Sequence, residues 1–360
     1  MGRFLFIKTG NEKYPALTGV RAMGAAAVFF VHLPFEMGHK IVIDVMAFFF
    51  VLSGFLIFYL YYENAQVKEW KLRQYFVNRF ARIYPVYFLL VSIAILLRHD
   101  FHPWFLFKNY TLTHALFNNI SSRAIQPSWS ITVEECFYLL APLFMYLVRR
   151  FNFITALTSA ALLLCCALLF SSLKTSFLHT PGFIFSITFF GHFFEFFCGI
   201  FLALLVLKKE RKGPIATAGK RYTLMGIAGI AASVSILVLS NNMNDPLQAV
   251  QFIAVNNFIL PVPVALLYYG LITEKTMLAH FLSFKWMGLL GRTSYAFYLV
   301  HMLVIESIAA PFMAPYFTNC RNLYVLLVFL LTQIIAWFIF VFYEEPLNKY
   351  IRKQFSGIRY

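Results

Sequence analysis

An arginine and a histidine stand eleven residues apart in the stretch from Arg21 to His32, with only apolar residues and one glycine between them. A charge in the middle of a membrane helix costs roughly 2.5–3.5 kcal/mol on insertion scales, so such residues are kept for a polar interior or a pathway. A neutral imidazole can take the proton of a hydroxyl as that hydroxyl attacks a carbonyl carbon. A guanidinium presents a planar fork of donors that suits phosphate. The two residues therefore mark a polar interior or pathway where chemistry is expected. Arg79, Arg82, Glu134, Glu135, Glu195 and His301 are further ionisable residues in or at the ends of apolar stretches.

The elements that must position these groups are membrane helices. The chain has 360 residues, of which 61% are hydrophobic and only 12% charged. A soluble domain is about half apolar, and about 20 apolar residues are needed to cross a bilayer as a helix. Ten such runs are expected, near residues 15–33, 43–62, 81–98, 131–148, 153–171, 184–207, 222–240, 253–272, 290–310 and 323–343. The eighth contains Pro261 and Pro263, which neighbouring helices can accommodate. The fold class is therefore all-α and polytopic, with a basic tail after residue 345. The net charge of +15 raises the question of nucleic acid. Counted over alternate loops, 21 of the 30 Lys and Arg fall on the side of both termini and 6 on the other. This is the positive-inside pattern, with both termini cytoplasmic, and it argues against a nucleic-acid partner. The five cysteines show no metal-binding or disulfide spacing and read as small buried fillers, and no metal is expected.

Several short segments recur in a recognisable order. They are Arg21 with His32, the Val-Leu-Ser-Gly-Phe run at 51–55 containing Ser53, the Arg79/Arg82 pair, and the block from Trp129 to Glu135. They continue with Glu195, with the run from Gly291 to His301, and with Glu344-Glu345-Pro346. In this order the chain resembles the acyltransferase-3 family of integral membrane O-acyltransferases over residues 17–346. The resemblance implies one transmembrane domain over 1–345 and a short cytoplasmic tail over 346–360. It implies transfer of an acetyl group from cytoplasmic acetyl-CoA to a hydroxyl of a surface polysaccharide, such as lipopolysaccharide O-antigen or exopolysaccharide, in a bacterial inner membrane. His32 then takes the role of general base, and Arg79 and Arg82 are associated with the donor.

Arg21 supports either the donor or the histidine. Glu134 or Glu135 either orients the imidazole or binds the acceptor. Ser53 suits helix packing beside Gly54 or donates a hydrogen bond to an oxyanion, and it is carried as a donor-site candidate. Trp129, Glu195 and His301 are candidate acceptor contacts, and Glu345 is expected to pair with an inner arginine. Loop 99–130 is aromatic and either stacks on sugars or lies at the interface. The implied partners are membrane lipid and a glycan or lipid-linked glycan, and a homo-oligomer is compatible with the sequence. A transporter or flippase of a lipid-linked sugar is the alternative, since it too places polar residues in several spans.

Overall fold

The computed structural model describes residues 13–33, 45–63, 72–117, 123–173, 175–213, 215, 217–239, 245–317 and 320–355. The described residues form an all-α membrane bundle. Helix α1 (Pro15–Val31) starts with proline in its first turn, where the missing N–H needs no partner, and ends at His32. Helices α2 (Met46–Tyr61) and α3 (Leu72–Arg98) follow, with the short α4 (Pro103–Tyr110) beyond. Helix α5 (Trp129–Arg150) leads into α6 (Phe153–Ser171), which Asn152 caps by accepting from the Thr155 N–H at 2.8 Å. Then come α7 (Pro181–Ile187), α8 (Phe189–Glu210), α9 (Arg221–Leu239), α10 (Pro246–Ala254) and α11 (Pro261–Thr273). Helix α12 (Met277–Leu282) is one short turn before α13 (Lys285–Val304), and α14 (Arg321–Ile339) and α15 (Glu345–Phe355) close the chain.

Among the described residues, eight helical stretches are long and apolar enough to cross a membrane, and the shorter α1 and α2 are apolar as well. Their positions follow the expected runs, with two differences. The third begins at Leu72 rather than near 81, so Arg79 and Arg82 lie two to three turns inside α3 instead of at its start. The last continues through α15, whose Asn348 is buried against α3. Cys165 and Cys166, expected as buried fillers, are exposed on α6, and Cys320 is exposed too. Helix α6 is peripheral and buries only a line of small residues, Ala156, Ala160, Ala167 and Ser171. Its thiols therefore face outward.

Close approach of backbones builds the centre. A Cβ on Gly54 would come within 2.1 Å of the Phe196 carbonyl oxygen, and one on Gly199 within 2.0 Å of the Val51 carbonyl oxygen. Helices α2 and α8 thus touch backbone to backbone, as small residues permit in membranes. Gly291 plays the same part between α13 and Thr18 of α1.

Prolines inside helices free carbonyls that lipid cannot satisfy. Pro85 frees the carbonyl of Ala81, which accepts from Asn348 Nδ2 at 3.0 Å. Pro142 frees that of Tyr138, which accepts from the Tyr75 hydroxyl at 2.8 Å. Pro261 follows a π-helical turn, Val255–Ile259, that carries the chain from α10 into α11. Two more π segments, Ile305–Met313 and Phe340–Glu344, extend α13 and join α14 to α15.

At the end of the bundle where α1 finishes, α4 and the following turn fold inward. His114 is fully buried there, with Nε2 3.0 Å from Ser128 Oγ. Burial, aided by the charge of Arg123, depresses its pKa to about 3.

Two outcomes follow from this packing. Gly199→Val should destabilise the detergent-solubilised protein by about 1–3 kcal/mol, because neither backbone can retreat. Thermal unfolding that matches wild type would reject the close crossing. For His114, the unfolded chain takes up a proton below its ordinary value near 6.5, whereas the folded chain refuses it down to about 3. Stability conferred by the neutral ring is complete above that ordinary value and declines as pH falls, by about 1.4 kcal/mol per pH unit. The stability advantage of wild type over His114→Asn should therefore shrink between about pH 7 and pH 4.5. A constant difference across that range would contradict the assignment.

Candidate active site

Five helices meet around one polar cavity. Its lining includes Arg21 from α1, Ser53 from α2, Arg79 and Arg82 from α3, Glu134 and Tyr138 from α5, and Tyr295 and Tyr298 from α13. Apolar walls come from Met46, Phe49, Phe50 and Ile83, around a cavity of about 130 Å³. This mix of lining suits a ligand with a charged part and an apolar part.

The three arginines are held in different ways. Arg82 donates to Glu344, which is buried, and its guanidinium lies 5.6 Å from the Tyr295 ring centre. The π segment Phe340–Glu344 turns Glu344 inward, while Glu345 pairs with Lys349 at 2.8 Å. The pairing expected of Glu345 belongs to its neighbour, because the widened turn shifts the helical register by part of a turn. Arg79 is sandwiched by Tyr61 and Tyr138, with ring centres 5.5 and 5.6 Å away, and its Nε has no hydrogen-bond partner. Arg21 makes no hydrogen bond or ion pair with any described residue, though Arg82, Glu134 and Glu344 all lie within electrostatic range. It faces the cavity as a cation without a bonded counter-charge.

Ser53 and Tyr138 both donate to Glu134. Gly54 provides the helix contact that was one reading of this pair, which leaves the Ser53 hydroxyl in the cavity. Glu135 does not line the cavity, and its Oε1 is buried without a partner.

His32 lies elsewhere. It closes α1, and its Nδ1 is 2.8 Å from the Val28 carbonyl oxygen. A ring nitrogen facing a carbonyl carries a proton, so in the neutral ring the lone pair lies on Nε2. His301 packs edge-on against it, with ring centres 5.1 Å apart. His301 is fully buried, Nδ1 donates to the Tyr298 carbonyl at 2.6 Å, and Nε2 has no partner. Neither histidine lines the arginine cavity. Tyr298 belongs to both groups: its side chain lines the cavity, and its ring lies 5.8 Å from that of His301. Among the described residues no carboxylate bonds His32, so the reading in which Glu134 or Glu135 orients its ring is not met there, and the Val28 carbonyl oxygen faces Nδ1 instead.

A third group surrounds His192. Its Nδ1 is 2.8 Å from Glu195 Oε1 and both residues are buried, while Trp129 lies 5.6 Å away by ring centres. Phe50 touches this group at 5.3 Å from the His192 ring and also lines the cavity. The sequence-predicted residues thus separate into a cavity set, a histidine pair and the His192 cluster. Sequence reasoning missed Tyr138, Tyr295, Tyr298 and Glu344. The spacing of Tyr295, Tyr298 and His301, three residues apart along one helix face, is the signal that was available for two of them.

Residues 14–344 match the model of an acyltransferase domain, acyltransferase-3. The chain belongs to this family. It is 26% identical over 94% of its length to the peptidoglycan O-acetyltransferase OatA of Listeria monocytogenes, covering 56% of that protein. It is 23% identical over 95% of its length to the O-acetyltransferase OatA of Staphylococcus aureus, covering 58%. The chain therefore spans a little under three-fifths of the length of these relatives. No solved structure gives a significant match. Family membership fits the all-α membrane architecture and the expectation drawn from the ordered motifs.

The Arg82–Glu344 pair should be structural as well as electrostatic. Glu344→Ala leaves a guanidinium unpaired and should lower stability by on the order of 3 kcal/mol, whereas Arg82→Met with Glu344→Met should recover most of it. Equal losses in the single and double variants would show that the two side chains are not coupled.

Proposed function

We propose that this chain is a multi-pass bacterial membrane O-acetyltransferase that moves an acetyl group from acetyl-CoA to a hydroxyl of an extracytoplasmic glycan. The observation that carries the reading is the cavity cation Arg21, whose guanidinium has no bonded carboxylate among the described residues. An arginine kept that way in an apolar bundle fits an anionic ligand, and three guanidinium groups around one space fit a coenzyme bearing several phosphates. Arg21 and Arg79 are the donor contacts in this reading, with Arg82 held by Glu344 as the fixed part of the wall. The apolar lining suits the arm that carries the thioester.

The chemistry falls to His32. Its Nε2 lone pair takes the acceptor's hydroxyl proton as the oxygen bonds to the thioester carbon. The carbon–sulfur bond then breaks, and the proton passes from the imidazolium to the departing thiolate. Proton transfer of this kind contributes roughly 10²–10⁴-fold. His301 buttresses the His32 ring. Ser53, with Glu134 and Tyr138, forms a hydrogen-bonded group beside the donor. The relatives named for peptidoglycan favour a cell-wall glycan over lipopolysaccharide O-antigen as the acceptor. The donor approaches from the cytoplasmic side, where the basic loops lie in the positive-inside reading.

His32→Ala should abolish acetyl transfer from radiolabelled acetyl-CoA, with loss of at least about 100-fold, while the protein remains monodisperse in detergent. Glycan acetylation that persists in this variant overturns the base assignment. Arg21→Gln should raise the KM for acetyl-CoA about tenfold with a smaller effect on kcat. Unchanged donor dependence would remove Arg21 from the donor site.

A further inference from the structure

A second set of cations lies at the end of the bundle where α1 finishes, outside the cavity. Arg123 is only 4% exposed, and its Nε and Nη2 are both buried without a hydrogen-bond partner. Lys108, 6% exposed, rests near the Trp104 and Phe117 rings, 5.8 and 5.9 Å from their centres; its carbonyl accepts from the Thr113 N–H at 3.0 Å, while its ammonium makes no hydrogen bond or ion pair with a described residue. Both act electrostatically on buried His114, so the three groups are near one another. The carboxylate that acts on Lys108 is Asp100, which is exposed and accepts from the His102 N–H at 3.1 Å. No described acid pairs with Arg123.

Burying a guanidinium without an acceptor is strongly unfavourable, and orphaned buried donors in a native protein require an explanation. Nε and Nη2 form the side-on edge of the guanidinium, the pair of parallel N–H groups that takes the two oxygens of one carboxylate. Arg123 also lies within electrostatic range of the Tyr298 phenol, which bonds Ser130 and the Pro127 carbonyl at 2.6 Å. The backbone of the same tyrosine holds His301 against His32. An acid bound at Arg123 would thus be anchored beside the residues assigned to the chemistry.

We infer that Arg123, assisted by Lys108, binds a carboxylate of the acceptor, and that the acceptor is an acidic glycan rather than a neutral one. This rests on the O-acetyltransferase reading and adds the charge class of its acceptor. Neither residue belongs to the cavity set. The two arginine groups then divide the anions between them, the donor's phosphates at Arg21 and Arg79 and the acceptor's acid at Arg123.

The test uses the full chain purified in detergent, acetyl-CoA, and cell-wall glycan oligomers either with free carboxylates or with those carboxylates converted to methyl esters. Wild type should favour the acidic oligomers at least tenfold in kcat/KM. Arg123→Gln should bring that ratio close to one, through KM for the acidic acceptor, and Arg123→Lys should keep part of it. Lys108→Gln should lower the ratio less. A wild-type ratio near one overturns the inference, as does a ratio unchanged in both Arg123→Gln and Lys108→Gln. If Arg123→Gln does not survive purification, the ratio in Lys108→Gln decides, and an unchanged value counts against the site. Wild type that cleaves no thioester and acetylates neither oligomer fails at the earlier step and removes the acetyltransferase reading itself.

Discussion

Charge inside an apolar bundle has to be neutralised or delocalised, and the three cavity arginines differ in how far the described residues do this. Arg82 is neutralised by Glu344. Arg79 is spread over two tyrosine faces, where cation–π attraction replaces part of the lost hydration. Among the described residues Arg21 has neither support, although it faces the same space. The rest of the site is arranged around this graded satisfaction. The carboxylate of Glu134 is engaged by Ser53 and Tyr138, which leaves Arg21 without a hydrogen-bonded acid.

The same rule governs the backbone. Each internal proline of α3 and α5 frees a carbonyl, and a side chain from another helix supplies the missing donor. Asn348 therefore locks α15 onto α3, and Tyr75 locks α3 onto α5. These are long-range hydrogen bonds in a medium without water, so helices that carry site residues are fixed relative to one another. Glycine contacts between α2 and α8 and between α1 and α13 bring the backbones close enough for Ser53 and Arg21 to share a cavity. A bundle fixed in this way offers preorganised groups rather than mobile ones.

Helix α13 links the two halves of the site. Tyr295 and Tyr298 line the cavity, and Tyr295 donates to the Ile83 carbonyl at 2.9 Å. One turn further on, His301 turns toward His32. The arginine cavity and the imidazole pair are distinct spaces with Tyr298 common to both. Under the proposed function, this layout would keep the charged end of a long donor at the arginines and its reactive end near the imidazole pair.

The membrane class, the approximate helix positions and the family were legible in the sequence, because hydropathy is additive along the chain and the motifs are local. The ionisable residues within apolar runs were also legible, since lipid makes each of them exceptional. Partnership was not. Glu344 rather than Glu345 meets Arg82 because a π turn moves the register, and no pattern of polar and apolar residues marks that turn. Val28 rather than a glutamate holds the His32 ring, because helix ends leave carbonyls free and only the folded end shows which one is taken. The orphaned Arg123 was invisible for the same reason: in a loop it reads as an ordinary surface cation, and its burial is decided by how α4 and its following turn fold back onto α5. The sequence determined which charges enter the bundle. The tertiary structure alone decided which of them would find a counter-charge, because that depends on distances of a few ångströms between helices far apart in the chain.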